Sequence, residues 1–131
     1  MKEYMKEKNK KKVLIVDDDD NMRLVLIDKL NISGFDVVGA VNGKEGLEKA
    51  LNLHPDVILL DILMPIMDGW EMLGNLRKDE WGKKVKVIML TGVEDAEAVA
   101  RAVQDGSFAY LLKTNQSMDD IVEKIEAMLK D

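Results

Sequence analysis

Apolar residues along the chain follow two alternating patterns, short continuous runs and longer stretches with helical spacing. Continuous runs such as Val13-Leu14-Ile15-Val16 leave no polar face for water, so they predict strands that are buried on both faces. Stretches with apolar residues three to four positions apart predict amphipathic helices. The predicted strands cover 13–16, 36–40, 57–60, 85–90 and 109–112. The predicted helices cover 21–32, 43–53, about 95–104 and 118–129, and a further helix follows the turn segment 64–69 and ends at about residue 77.

Strands that alternate with helices are typical of βαβ units, which build a parallel sheet covered by helices on both faces. The pattern therefore predicts an α/β fold. Gly34 is predicted to end the first helix at its C′ position, and Leu47, Ala50 and Leu51 are predicted to face inward from the second. With 131 residues, of which 47% are hydrophobic, the chain has the size and composition of a single domain.

Charge is distributed unevenly. Residues 1–12 contain six lysines and two glutamates, a net charge of +4, so residues 13–131 carry −10 of the total of −6. We interpret 1–12 as a solvated, lysine-rich leader and 13–131 as the folded domain. An acidic domain lacks the basic face that nucleic-acid binding usually needs, so no nucleic-acid binding is expected.

Composition excludes several kinds of chemistry. The chain has no cysteine and a single histidine, His54, which argues against disulfides, zinc sites and a catalytic triad. No apolar segment approaches the roughly 20 residues of a membrane span, and the N-terminus lacks the apolar core of a signal peptide. A cytoplasmic protein without membrane association is expected.

Polar residues of definite types follow four of the five predicted strands. Asp17 and Asp18 follow the first strand, Asp61 the third, Thr91 the fourth and Lys113 the fifth. Each alone has an ordinary explanation, as a helix cap, a turn or a solvated flank. Together they converge on the crevice where open α/β sheets bind ligands. Carboxylates, a hydroxyl and an ammonium suit metal-assisted phosphoryl transfer, in which one carboxylate can act as the nucleophile.

These residues carry a resemblance to a known family. The acid pair after the first strand, the string Asp61-Ile62-Leu63-Met64-Pro65-Ile66-Met67-Asp68-Gly69, Thr91 after Val87-Ile88-Met89-Leu90, and Tyr110-Leu111-Leu112-Lys113 resemble the receiver domain of bacterial two-component response regulators. The likeness extends from residue 12 to about residue 130. It implies a flavodoxin-like fold, with a five-stranded parallel sheet of order 2-1-3-4-5 and five helices on two faces.

The resemblance also implies a role for each matching residue. Asp61 matches the phosphoacceptor, which takes a phosphoryl group from the phosphohistidine of a histidine kinase or phosphotransfer protein. Thr91 and Lys113 match the residues that hold the phosphoryl oxygens, and Tyr110 matches the aromatic switch. The switch remodels the face formed by the fourth helix, fifth strand and fifth helix, which controls a downstream protein. The molecule is then expected to be a regulator, not an enzyme, and a monomer or a weak phosphorylation-dependent dimer.

A Mg²⁺ ion is the cofactor that the resemblance implies. Asp18 matches its direct ligand and Asp17 a ligand that acts through water. The Asp61 carboxylate and the Leu63 backbone carbonyl complete the implied protein ligands. Asp19 and Asp20 are assigned to the start of the first helix, where aspartate is a favoured cap.

The chain departs from the family pattern at three points. Thr114 stands where proline usually follows the lysine, so we predict a trans Lys113-Thr114 bond, since a cis bond before a non-proline residue costs about 2.5–4 kcal/mol. Leu63 and Val93, two positions after Asp61 and Thr91, cannot orient a water molecule, which predicts slow self-dephosphorylation. No effector domain follows within this sequence, so output is expected through a partner or another part of a longer chain.

Two alternatives stay open. Val16-Asp17-Asp18-Asp19 weakly resembles the nucleophile motif of haloacid dehalogenase-type phosphatases, in which case Asp17 would be the nucleophile and Asp61 dispensable. A receiver fold that acts as an unphosphorylated scaffold is the second alternative, although the intact set of Asp18, Asp61, Thr91 and Lys113 argues against it.

Overall fold

The computed structural model of the chain describes residues 10–130, so residues 1–9 of the predicted leader lie outside the described part. Strands and helices alternate strictly. The strands are β1 (Lys12–Val16), β2 (Asp36–Ala40), β3 (Val57–Leu60), β4 (Lys86–Thr91) and β5 (Ala109–Leu112). The helices are α1 (Asp20–Ile32), α2 (Gly43–Leu53), α3 (Gly69–Arg77), α4 (Ala96–Gln104) and α5 (Met118–Met128).

All strand pairs are parallel, and the strand order is β2-β1-β3-β4-β5. The predicted α/β fold and the order 2-1-3-4-5 are therefore confirmed. In β1, Leu14 and Val16 join the core beneath α2, α3 and α4, whereas Val13 and Ile15 join the core beneath α1 and α5. Successive side chains of a strand point to opposite faces, which is why a strand covered on both sides needs a continuous apolar run.

Each α-helix begins at a side chain that accepts a hydrogen bond from the backbone of its first turn. These N-caps are Asp19, Asn42, Asp68, Asp95 and Ser117. A cap of this kind stabilises a helix by about 1 kcal/mol, because it satisfies an otherwise unpaired backbone N–H. The assignment of Asp19 to the helix start is confirmed, and Asp20 lies in the first turn of α1.

The predicted bounds differ from the structure mainly at single residues. Lys12 already belongs to β1, and β4 runs through Thr91. Gly34 follows the end of α1 with a φ of 98°, as its predicted C′ position requires. The inward placement of Leu51 is wrong: 37% of it is exposed, because Gly43, Gly46 and Ala50 form the buried line of α2.

The bond that follows Lys113 has the predicted geometry. No cis peptide bond occurs within residues 10–130, so Lys113-Thr114 is trans, and it lies in a short 3₁₀ turn, Lys113–Asn115.

Within residues 10–130, no helix is long and apolar enough to cross a membrane.

Arg77, at the end of α3, stabilises the amino-terminal end of the sheet. Its guanidinium donates hydrogen bonds to the carbonyl oxygens of Gly82 (2.6 Å), Val85 (2.9 Å) and Gly106 (2.5 Å). Burial lowers the pKa of Arg77 from its usual value. The side chain therefore joins the loop before β4 to the loop before β5 without a carboxylate among these partners.

Candidate functional site

Three carboxylates meet at the carboxyl-terminal end of the sheet. Asp17 and Asp18 follow β1, Asp61 follows the neighbouring β3, and each side chain offers an oxygen within 4.8 Å of the other two. Asp17 and Asp61 are buried, with 2% and 7% of their surface exposed, whereas Asp18 is exposed. We call Asp17, Asp18 and Asp61 the carboxylate cluster.

Lys113 reaches this cluster from the end of β5. Its Nζ lies 2.8 Å from Asp17 Oδ2 and 3.0 Å from Asp61 Oδ2. Burial acts to lower the pKa of Lys113, but its hydrogen bonds and its attraction to both carboxylates outweigh burial, so the pKa is raised. The ammonium therefore stays charged and joins the end of β5 to the ends of β1 and β3, from which β5 is separated in the sheet by β4.

Burial also has the largest influence on the pKa of Asp17. It raises the pKa of that carboxyl, and the nearby charge of Asp61 acts in the same direction, against the hydrogen bonds from Lys113 and the Asp19 N–H. Three ionised carboxylates with one ammonium leave two negative charges in a small volume. An all-oxygen set of this charge fits a hard divalent cation, and Mg²⁺ is the common biological choice.

Asp61 is held in a fixed orientation. Its Oδ1 accepts a hydrogen bond from the Ile62 N–H at 2.7 Å, while Oδ2 accepts one from Lys113. The start of α3 packs directly against it: a Cβ on Gly69 would lie 2.2 Å from the Asp61 carbonyl oxygen, so only glycine fits there. The carboxylate thus sits on a rigid junction between strand and helix.

Thr91 and Tyr110 meet at one residue, Val93. Thr91 is fully buried at the end of β4, and its Oγ1 accepts a hydrogen bond from the Val93 N–H at 3.3 Å. The Tyr110 hydroxyl donates to the Val93 carbonyl oxygen at 2.5 Å. Burial raises the pKa of Tyr110, and the charges of Asp95 and Asp61 add to this. A movement of Thr91 can therefore reach Tyr110 through a single residue.

The loop from β3 to α3 forms an apolar rim beside the cluster. Leu63 is 68% exposed, and Ile66 is 77% exposed with a φ of 71°. Left-handed backbone is strained for a β-branched residue. Leu63 and Val93 also line a cleft of about 260 Å³ between this loop and α4. Ile62, the residue that follows Asp61, lines the same cleft.

Arg23 also belongs to this region, although it was not among the site residues predicted from the sequence. Its Nη1 donates to the Asp17 carbonyl oxygen at 2.8 Å, and its Nη2 pairs with Asp20 Oδ1 at 2.6 Å. The spacing of three residues between Asp20 and Arg23 on a helix was the available signal, because such pairs are neighbours on a helix surface.

Comparisons with known proteins agree with this geometry. The family model described as the response regulator receiver domain matches residues 13–126. The response regulator protein VraR of Staphylococcus saprophyticus is 43% identical over 116 residues, which cover 87% of this chain and 54% of that protein. This chain thus spans about half the length of that relative. The haloacid dehalogenase alternative finds no support in these matches.

Solved structures give the same result. A CheY-like receiver domain protein from Methanospirillum hungatei is 33% identical with a TM-score of 0.85, over 92% of this chain and 94% of that one. The CheY chain in a complex with CheX, BeF₃ and Mg²⁺ from Borrelia burgdorferi is 26% identical with a TM-score of 0.83, over 92% and 90%. The sequence motif, the sheet order and the strand-end cluster agree with these likenesses, and the chain belongs to the response regulator receiver domain family.

Proposed function

We propose that Asp61 accepts a phosphoryl group from the phosphohistidine of a histidine kinase or phosphotransfer protein. An Asp61 carboxylate oxygen forms the new bond to phosphorus, the P–N bond of the donor breaks, and the imidazole leaves with the electron pair and takes up a proton. The observation that carries this proposal is the orientation of Asp61, which is buried and bonded to Lys113 and the Ile62 N–H.

The carboxylate cluster would hold Mg²⁺ through Asp17, Asp18 and Asp61, with the Leu63 backbone carbonyl as a further ligand. When bound, the metal supplies positive charge that offsets the charge of the phosphoryl oxygens. Lys113 already contacts Asp61, so its ammonium stands ready to bind a phosphoryl oxygen. The Thr91 hydroxyl would be the second group that binds the phosphoryl oxygens.

Phosphorylation would control a partner through the surface of α4, β5 and α5. The added dianion favours a packing in which Thr91 moves toward the phosphoryl group, and the link through Val93 carries that movement to Tyr110. Val99, Val103 and Phe108 expose 39%, 70% and 61% of their surface around these elements. Such apolar exposure suits a downstream protein or a weak phosphorylation-dependent dimer.

The phosphorylated state is expected to be long-lived. Leu63 and Val93, two positions after Asp61 and Thr91, line one cleft, and neither offers a polar side-chain atom to orient an attacking water. The aspartyl phosphate should therefore persist for far longer than seconds after the donor is removed, as followed on phosphate-affinity gels. Leu63→Asn should shorten this lifetime, because an amide can position water. A lifetime of seconds in the unaltered protein would contradict this part of the proposal.

The phosphoacceptor is tested with a small acyl phosphate donor and Mg²⁺, read on phosphate-affinity gels. The unaltered protein should gain one shifted band, and Asp61→Asn should abolish it. Asp28→Asn, which removes an exposed acid of α1, is the matched control and should keep the band. A shifted band in Asp61→Asn would exclude Asp61 as the acceptor. A folded protein that gives no band and does not bind beryllofluoride would support the scaffold alternative.

A further inference from the structure

We propose that Arg23 is a positioning residue of the metal site: its guanidinium fixes the peptide that joins Asp17 to Asp18, and thereby the directions of both carboxylates. This inference rests on the proposed Mg²⁺ site and adds a residue to it.

The contacts of Arg23 point inward. Only 11% of its side chain is exposed, although arginine is usually a surface residue. Nη1 binds the carbonyl oxygen of Asp17 at 2.8 Å, and Nη2 binds Asp20 Oδ1 at 2.6 Å. Gly39 of β2 leaves space for the aliphatic part of the Arg23 side chain, because a Cβ at that position would lie only 3.2 Å from the Arg23 Cδ. Two hydrogen bonds therefore hold the guanidinium, and Gly39 leaves room for the aliphatic part of the side chain.

The peptide that Arg23 binds determines the geometry of the acid pair. On its N-terminal side, this peptide is anchored to the sheet, because the Asp17 N–H donates to the Ala40 carbonyl oxygen at 3.1 Å. The next turn is anchored by the Asp19 N–H, which donates to Asp17 Oδ1 at 3.0 Å. Arg23 fixes the carbonyl between these two anchors. Asp18 is exposed, so its direction depends on this backbone more than on side-chain packing.

Two effects of Arg23 on Mg²⁺ oppose each other. Its positive charge repels a cation, so loss of the charge alone would tighten binding. Its hydrogen bonds hold the ligands in place, so loss of the bonds would weaken binding, typically 10- to 100-fold for groups that orient metal ligands. Arg23→Lys separates the effects, because lysine keeps the charge and loses the two-pronged geometry. Positioning predicts that this variant binds Mg²⁺ more weakly, whereas charge alone predicts no change.

The experiment is a calorimetric Mg²⁺ titration of the unaltered protein, Arg23→Lys, Arg23→Gln and Arg77→Lys. Arg77 is the matched control, since its guanidinium also binds backbone carbonyls, but at the other end of the sheet. Urea unfolding in a chelator measures the stability of each variant separately. Arg23→Lys should bind Mg²⁺ about tenfold more weakly, and Arg23→Gln should lose less affinity because removal of the charge offsets part of the effect. Arg77→Lys should lose stability yet keep its Mg²⁺ affinity within about twofold.

Three results would overturn the inference. If Arg23→Lys binds Mg²⁺ as tightly as the unaltered protein, Arg23 has no positioning role, although the metal site itself still stands. An equal loss of affinity in Arg77→Lys would show general loosening of the fold instead. Failure of the unaltered protein to bind Mg²⁺ would overturn the metal site itself, and this inference with it.

Discussion

The two ends of the sheet accommodate charged side chains in opposite ways. At the amino-terminal end, Arg77 donates to three backbone carbonyl oxygens, so one cation meets several neutral acceptors. At the carboxyl-terminal end, Asp17 and Asp61 are buried beside exposed Asp18, with Lys113 bridging the buried pair. The first arrangement satisfies its charge through hydrogen bonds. The second leaves negative charge unbalanced, and it is the end that carries the proposed chemistry.

This difference predicts that the fold gives up stability at the proposed ligand site. Crowded carboxylates destabilise the folded state without a cation, yet they are the groups that attract one. The amino-terminal end has no such requirement, so its half-buried arginine contributes to stability. Substitutions at the two ends should therefore change the free energy of unfolding in opposite directions.

The largest effect is expected from Arg77→Ala. Removal of the guanidinium leaves three carbonyl oxygens without that donor, and each unpaired buried group costs about 1–3 kcal/mol. Because water can reach some of them, the free energy of unfolding should fall by about 2–4 kcal/mol. Urea unfolding measures this loss, and Lys44→Ala, at an exposed lysine of α2, is the control. A loss no larger than that of the control would mean that these bonds contribute little.

Mg²⁺ should stabilise the carboxyl-terminal end. A ligand that binds only the folded state raises the free energy of unfolding by about 2.7 kcal/mol at 100 times its dissociation constant. With increasing Mg²⁺, the melting temperature should rise in the unaltered protein and rise much less in Asp17→Asn. Equal rises in melting temperature in both proteins would show that the metal binds outside the carboxylate cluster.

Without metal, Asp17→Asn should be more stable than the unaltered protein at neutral pH, because the folded environment disfavours the charged form of Asp17. Burial raises the pKa of Asp17 above its ordinary value of 3.8, so the folded protein binds more protons than the unfolded chain as this group titrates. The stability that Asp17 contributes is therefore greatest below pH 3.8 and falls as pH rises through its folded pKa. Asp17→Asn should lack this fall. A variant less stable than the unaltered protein in chelator at pH 7 would contradict the comparison.

The smallest effect is expected from Ile66→Gly. A left-handed backbone costs an ordinary residue about 1–2 kcal/mol, and glycine avoids this strain. Glycine also has more conformational freedom in the unfolded chain, which cancels part of the gain in folding stability. The free energy of unfolding should rise by about 0.5–1 kcal/mol. Ile66→Ala keeps the strain and should show no gain. An equal gain in both variants would assign the effect to the exposed apolar side chain instead of the backbone.

Much of the fold could be predicted because buried parallel strands carry a direct signal. The run from Val13 to Val16 and the glycine at position 34 gave the bounds of β1 and the end of α1 to within one residue. Leu51 was misplaced because helical spacing alone could not show that Gly43, Gly46 and Ala50 form the line of closest approach. Close packing of glycine is visible only when the neighbouring element is in place.

The candidate site was predictable at the residues that end strands. Parallel strands bring Asp17, Asp61 and Lys113 to one edge, and their types indicate their chemistry. Arg23 and Arg77 could not be found in this way, because both act on backbone carbonyls. A carbonyl is present in every residue, so no sequence pattern marks it as a partner.

The identity of the phosphorylated residue is the most direct test of the central claim. After treatment with an acyl phosphate donor and Mg²⁺, borohydride reduction converts an aspartyl phosphate into homoserine, which peptide mass spectrometry locates. The proposal predicts homoserine at position 61 alone, dependent on both donor and Mg²⁺. Homoserine at position 17 or 18, or none in a folded and metal-bound protein, would contradict it.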